Sequence, residues 1–177
     1  MFDGSHPTRT EESDSEDPYD QALDRALNSS LRITRRIHRE QARTAEALAL
    51  LTKVGAKVFL CNVPRRFSGL AGFEALLARS RAVRDENGDR AESMRLAGAA
   101  VLWACRLSGQ HYGRRQVRDF QCRAWLELAA AAERRGEVSV ARQALAEAAR
   151  SFLDGTGDEA LAARLRSHRP PCPATLP

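Results

Sequence analysis

CRAWLELAAAAERRGEVSVARQALAEAARSFL, running from Cys122 to Leu153, decides the fold. Trp125, Leu128 and Ala132 fall at i, i+3 and i+7, one face of a helix with 3.6 residues per turn. Alanine has the highest helix propensity, so the run Ala129 to Ala132 agrees with the spacing. Arg134-Arg135 followed by Gly136 is a stop signal. Cations complement the carbonyl end of the helix dipole, and glycine accepts the left-handed turn that closes the helix. A second helix begins near Val138. Its small and apolar face is Ala141, Ala144, Leu145, Ala148 and Phe152, and it ends before Gly155. The stretch therefore reads as two antiparallel helices joined at Arg135-Gly136-Glu137.

Upstream, the same periodicity predicts more helix. Leu23, Leu27, Leu31 and Thr34 recur at helical spacing, and Arg32, Arg36, Arg39 and Arg43 form a basic stripe on the same helix. The Ser29-Ser30 pair weakens it. Ala45–Lys53 continues with Leu48 and Leu51 as core contacts, and Gly55 ends the segment. Residues 58–63 have β character but no partner strand, so they predict an extended connector or a last helical turn packed by Val58, Leu60 and Val63. After a loop at Pro64–Ser68, a helix over Gly69–Arg84 turns Leu70, Phe73, Leu76 and Leu77 inward. Asp85-Glu86-Asn87-Gly88-Asp89 is a turn. The helix over Arg90–Leu107, with Met94, Ala97, Val101 and Ala104 on one side, is expected to be the most buried element.

Residues 108–113 break the pattern, and Arg114, Arg115 and Arg118 open the helix that leads into the deciding stretch. Cations there oppose the macrodipole. Asp119 is expected to pair locally with Arg115 or Arg123. Gly155-Thr156-Gly157-Asp158 is a turn with Asp158 as N-cap of a helix over Glu159–Leu165, and Arg169-Pro170-Pro171-Cys172-Pro173 cannot be helical. The implied organisation is a disordered acidic tail over 1–19, a basic amphipathic helical segment over 20–54, a helical-repeat domain over 55–166, and an irregular proline-rich tail over 167–177.

Trp125, Leu128, Ala129, Gly136, Ala141, Leu145 and Ala148 resemble the tetratricopeptide repeat. In that family a large aromatic opens the first helix, a Leu and a small residue follow, and Ala–aromatic–Ala packs the second helix against it. Ala132 departs from the family's Tyr, and Leu153 from its closing Pro. Asn62-Val63-Pro64-Arg65-Arg66-Phe67, His111-Tyr112-Gly113 and Gly155-Thr156-Gly157-Asp158 add a likeness to uncharacterised bacterial members of the group. What the resemblance implies is an all-α fold, a short α-solenoid of antiparallel hairpins, and no activity. A solenoid needs its last apolar face covered. The short final helix gives the expectation of a truncated array, a tail from a shifted reading frame, or self-association through the exposed C-terminal repeat face.

Composition agrees with helices. Hydrophobic residues make up 43 % of the 177 residues but aromatics only 6 %, so the core must be built from Leu, Ala and Val. Lysine occurs only at Lys53 and Lys57, so 26 of the 28 cations are arginine. Arg and Ala enrichment fits a GC-rich bacterial genome. Residues 1–20 carry seven acids and one base, so the net charge of +5 is an acidic start on a body of +11. With no hydrophobic leader and four scattered cysteines, the expectation is a reducing cytoplasm with buried, inert thiols, and no membrane partner.

No catalytic, cofactor-binding or metal-ligating residue is predicted. His6, His38, His111 and His168 are not drawn together with a nucleophile or an acid, zinc-ligand spacings are absent, and the glycine turns lack a phosphate loop's lysine. The leading expectation is a non-enzymatic scaffold binding a protein or peptide partner along the first helix of each pair. Arg79, Arg118, Gln121 and Glu127 are its exposed groove residues. The alternative is a nucleic-acid-associated or regulatory protein with Arg32, Arg36, Arg39 and Arg43 on phosphates. For that stripe, a merely solvated face and a membrane-surface face also stay open.

Overall fold

The computed structural model describes residues 18–86 and 88–168, with the side chains at 18, 33, 36 and 37 outside the description. The acidic residues up to 17 and the proline-rich segment from 169 also lie outside it. All regular structure among the described residues is helical: α1 (Pro18–Cys61), a 3-10 turn (Arg65–Phe67), α2 (Leu70–Asp85), α3 (Arg90–Arg106), α4 (Gly109–Tyr112), α5 (Arg114–Arg135), α6 (Val138–Leu153) and α7 (Glu159–Ser167). The chain divides into two units, Met1–His38 and Arg39–Pro177. In the first, every side chain over 19–32 is exposed.

The second unit is built by successive packing. α2 packs on α3, α3 on α5, α5 on α6, and α7 on both α5 and α6, while α2 also reaches α5. Its larger core gathers Leu51, Phe59, Phe67, Phe73, Leu76, Leu77 and Leu96, with Trp103 and Phe120 along its margin. A smaller one joins Cys122, Leu126, Ala148 and Leu161. Trp125 packs against both, so it is a core residue. The hairpin closes as its sequence predicts. Gly136 adopts φ 80° and ψ 14°, and the Glu137 N–H donates to the Ala132 carbonyl at 2.9 Å. Asp158 caps α7, its carboxylate accepting from the N–H groups of Ala160 and Leu161 at 2.7 and 3.3 Å.

Four expectations change. Gly55 (φ 78°, ψ 160°) breaks α1, yet helix resumes to Cys61. That last turn buries Phe59 against Trp103 and leaves Val58 50 % and Leu60 38 % exposed, where both were expected to pack, while Val63 just beyond it packs on the core as expected. The 108–113 break contains one helical turn, whose Tyr112 hydroxyl accepts a hydrogen bond from the Leu70 N–H at 3.2 Å. Trp103 Nε1 donates to the Gly69 carbonyl at 3.0 Å, so two aromatics secure the start of α2. α3 buries Ser93, Leu96, Ala97, Ala100, Val101 and Ala104 but leaves Leu102 66 % exposed. Asp119 turns from its arginine neighbours to the α6–α7 loop, accepting from Thr156 N at 3.0 Å and Thr156 Oγ1 at 2.7 Å.

Candidate anion-binding site

The polar centre of the second unit is Glu127. It sits on the buried side of α5 with Ala124 at i−3 and Ala131 at i+4, and it is fully buried. A carboxylate taken out of water must be paired or lose its charge. Three arginines reach it from two other helices. Arg84 of α2 donates from Nη1 to Oε1. Arg81, one turn earlier, donates from Nε to Oε2 at 3.1 Å. Arg164 of α7 brings Nη2 to 3.9 Å from Oε2. Ser80 Oγ lies 3.5 Å from Oε1, but its shorter bond goes to the Ser93 carbonyl at 3.1 Å. Ser93 Oγ in turn donates to the Ser80 carbonyl at 3.1 Å, which fixes the spacing of α2 and α3 beside the cluster.

Three guanidiniums meet one buried carboxylate, and with the exposed Asp85 3.4 Å from Arg84 Nε the cluster keeps a surplus of one positive charge. Burial and the neighbouring Arg81 hold the Arg164 guanidinium below its ordinary range, and Glu127 only partly offsets them. Arg81 and Arg164 are each a little over one-third exposed, so their outer faces meet solvent. Arg123 with Glu74, by contrast, is a bidentate pair at 2.7 and 2.8 Å with one charge of each sign. From Arg84 the basic surface continues into a cavity of about 210 Å³ lined by Arg84, Gly88, Arg90, Ala131 and Arg134. Arg134 donates to the Arg84 carbonyl, which ties the end of α5 to the end of α2.

The predicted groove residues separate. Glu127 is buried where an exposed position was expected, because it faces α2 and α7. Arg118 donates to Gln121 at 2.9 Å and lies 3.8 Å from Asp154, so these two remain neighbours, while Arg79 is half-buried in α2. On α1, Arg39 is exposed, Arg32 bonds to its own helix at the Asn28 carbonyl, and Arg43 pairs with Glu40 at 3.2 Å. The Arg36 side chain lies outside the described residues. Sequence reasoning passed over Arg81, Arg84 and Arg164.

The thiols also divide. Cys122 is buried, and burial with Asp119 nearby pushes its pKa up to about 11. Cys61 and Cys105 are exposed, against the expectation of uniformly buried thiols, because both lie on helix faces turned from the cores. Among the described residues no His, Cys, Asp and Glu gather as metal ligands would, and no helix is long and apolar enough to cross a membrane. The C-terminal hairpin carries an apolar cavity of about 410 Å³ formed by Leu145, Phe152, Leu153 and Leu165 among others, with Leu153 82 % exposed. No family model matches this chain, and neither a curated protein nor a solved structure matches it.

Proposed function

We propose that this chain is a non-catalytic scaffold of tetratricopeptide-like helical hairpins that docks an acidic segment of a partner protein on an arginine-lined face of α2, α5 and α7. The observation that carries the reading is the surplus of guanidinium around Glu127. A single buried carboxylate satisfies three arginines incompletely, and two of them keep one side toward water. Guanidiniums pre-oriented on rigid helices lose little entropy on meeting a carboxylate, and each offers a second pair of donors to it. The packing order supports the architecture: α2–α3 and α5–α6 are successive antiparallel pairs, and α7 packs on the second of them.

The test is fluorescence anisotropy with a labelled acidic peptide and its Gln-substituted counterpart. The acidic peptide binds, and the neutral one does not. Arg81→Gln and Arg164→Gln each weaken binding about tenfold, the equivalent of ~1.4 kcal/mol. Glu127→Gln removes the internal competitor and tightens binding. Equal affinity for both peptides, or indifference to all three substitutions, would overturn the reading. The competing nucleic-acid reading rests on the exposed Arg39 and its neighbours on α1. It gains only from oligonucleotide binding that falls steeply with salt and is lost on replacing Arg32, Arg36, Arg39 and Arg43 by Gln.

A further inference from the structure

The first part of α1 carries an amphipathic pattern that none of the described residues covers. Leu23, Leu27 and Leu31 repeat every fourth residue and are 48 %, 53 % and 54 % exposed. Helices in proteins draw most of their stability from packing an apolar face, and here that face meets solvent. On a helix of 3.6 residues per turn, Asp24 and Arg35 lie along one edge of the leucines and Asp20 on the same side nearer their middle, whereas Ala26 and Ser30 lie on the other edge. Asp20, Asp24 and Arg35 have no ion-pair partner among the described residues. The edge is acidic at its N-terminal end and basic at its C-terminal end, so it is complementary to itself read backwards.

We infer that this segment pairs antiparallel with the same segment of a second copy of the chain. With Leu27 on Leu27 of the second copy, Leu23 meets Leu31, and Asp20 lies beside Arg35 at both ends of the pair. Antiparallel helices set like edges together, so Asp20 of each copy finds Arg35 of the other, while Asp24 falls opposite Ser30 and stays at the solvent edge. A parallel pair would set the charged edge against Ala26 and Ser30 and leave those charges unpaired. The surface is separate from the arginine cluster and stands independently of the proposed function.

The experiment measures the mass of the nuclease-treated full chain by light scattering and sedimentation at concentrations up to about 100 μM, where a dimer held by such a surface is populated. The expected result is twice the 19.6 kDa of one chain. Leu23→Glu, Leu27→Glu and Leu31→Glu together give a single-chain mass with the α2–α7 fold intact by near-ultraviolet circular dichroism. Asp20→Arg alone weakens the dimer, as does Arg35→Asp alone, while the two on one chain restore it, because the pair is reversed at both ends. Fifteen residues separate them on one helix, so restoration reports contact between chains. A single-chain mass throughout, a dimer that survives the leucine substitutions, failure of the double reversal to restore it, or a mass increase only on adding oligonucleotide would each overturn the inference.

Discussion

Replacing Glu127 by Gln is the most informative single perturbation of the second unit. Gln keeps the shape and removes the charge. Arg84, whose side chain is 17 % exposed, then has no anion at its buried Nη1 end and keeps only Asp85, 3.4 Å from Nε. Removing one member of a buried ion pair costs about 3–5 kcal/mol, because the other is left charged and poorly solvated. Arg81 and Arg164 are 37 % and 38 % exposed, so water screens most of their share, below ~1 kcal/mol each. Arg84 also has a partial second partner, so the low end applies, and the expected loss is about 3 kcal/mol. With a urea slope near ~2 kcal/mol per molar, the unfolding midpoint falls by about 1.5 M. The assay is equilibrium urea denaturation followed by tryptophan fluorescence, since Trp125 lies two residues from the site and Trp103 in the neighbouring core. Glu147→Gln, which breaks an exposed pair with Arg150, is the control and costs under about 0.5 kcal/mol. The cycle with Arg84→Gln should show coupling of at least ~1 kcal/mol. If Glu127→Gln matches the control, or the two substitutions add without coupling, the carboxylate does not organise this cluster. The same variant is expected to bind the acidic peptide more tightly, so stability and binding move in opposite directions.

Three other outcomes follow from local geometry. Cys122 should resist a thiol reagent at pH 8 in the folded chain while Cys61 and Cys105 react. The folded thiol ionises at about 11 against an ordinary 9.0, so the unfolded chain releases its proton first and stability falls as pH rises from 9 to 11. At ~1.4 kcal/mol per pH unit this reaches about 2–3 kcal/mol, and Cys122→Ala should remove that part of the pH slope in urea titrations. Tyr112→Phe deletes the acceptor for the Leu70 N–H and should cost about 1 kcal/mol, with faster amide exchange at Leu70 as the specific sign. Gly155→Ala would press a methyl group onto Asp119 Oδ1, displacing it from Thr156. A loss of about 1–3 kcal/mol is expected, checked by thermal unfolding against Asp119→Ala, which should make the glycine substitution less harmful.

The helices were legible because their determinants are local. The Gly136 stop, the Asp158 cap and the 3.6-residue spacing of Ala141, Ala144 and Ala148 each act within one or two turns, and all three appear in the structure as read. Where the reading failed, the cause was a residue from far along the chain. Phe59 is buried and Val58 exposed because Trp103, 44 positions later, stacks on the ring at 6.4 Å between centroids. No periodicity within the six residues 58–63 contains that fact. Asp119 likewise had an arginine one turn away on either side, Arg115 and Arg123, but the loop at Thr156 offers both an N–H and a hydroxyl at once. Two directed hydrogen bonds hold a carboxylate better than an exposed ion pair does.

The arginine cluster has the same origin, with one local clue. Its partners lie 43, 46 and 37 positions from Glu127, on helices that the sequence places only by count. The acid was visible all the same. Ala124, Ala131 and Glu127 share one side of α5, and small residues at i−3 and i+4 mark a side that another helix approaches closely. A carboxylate between two such alanines is either an error of phase or a buried charge, and a buried charge demands cations from the approaching helix. α2 supplies Arg81 and Arg84, one turn apart, on the helix that also packs on α3 through Ser80 and Ser93. Three arginines converge on one buried carboxylate, and the charge left over is a property of the fold; under the proposed function that remainder, more than the stripe on α1, is what an acidic partner meets.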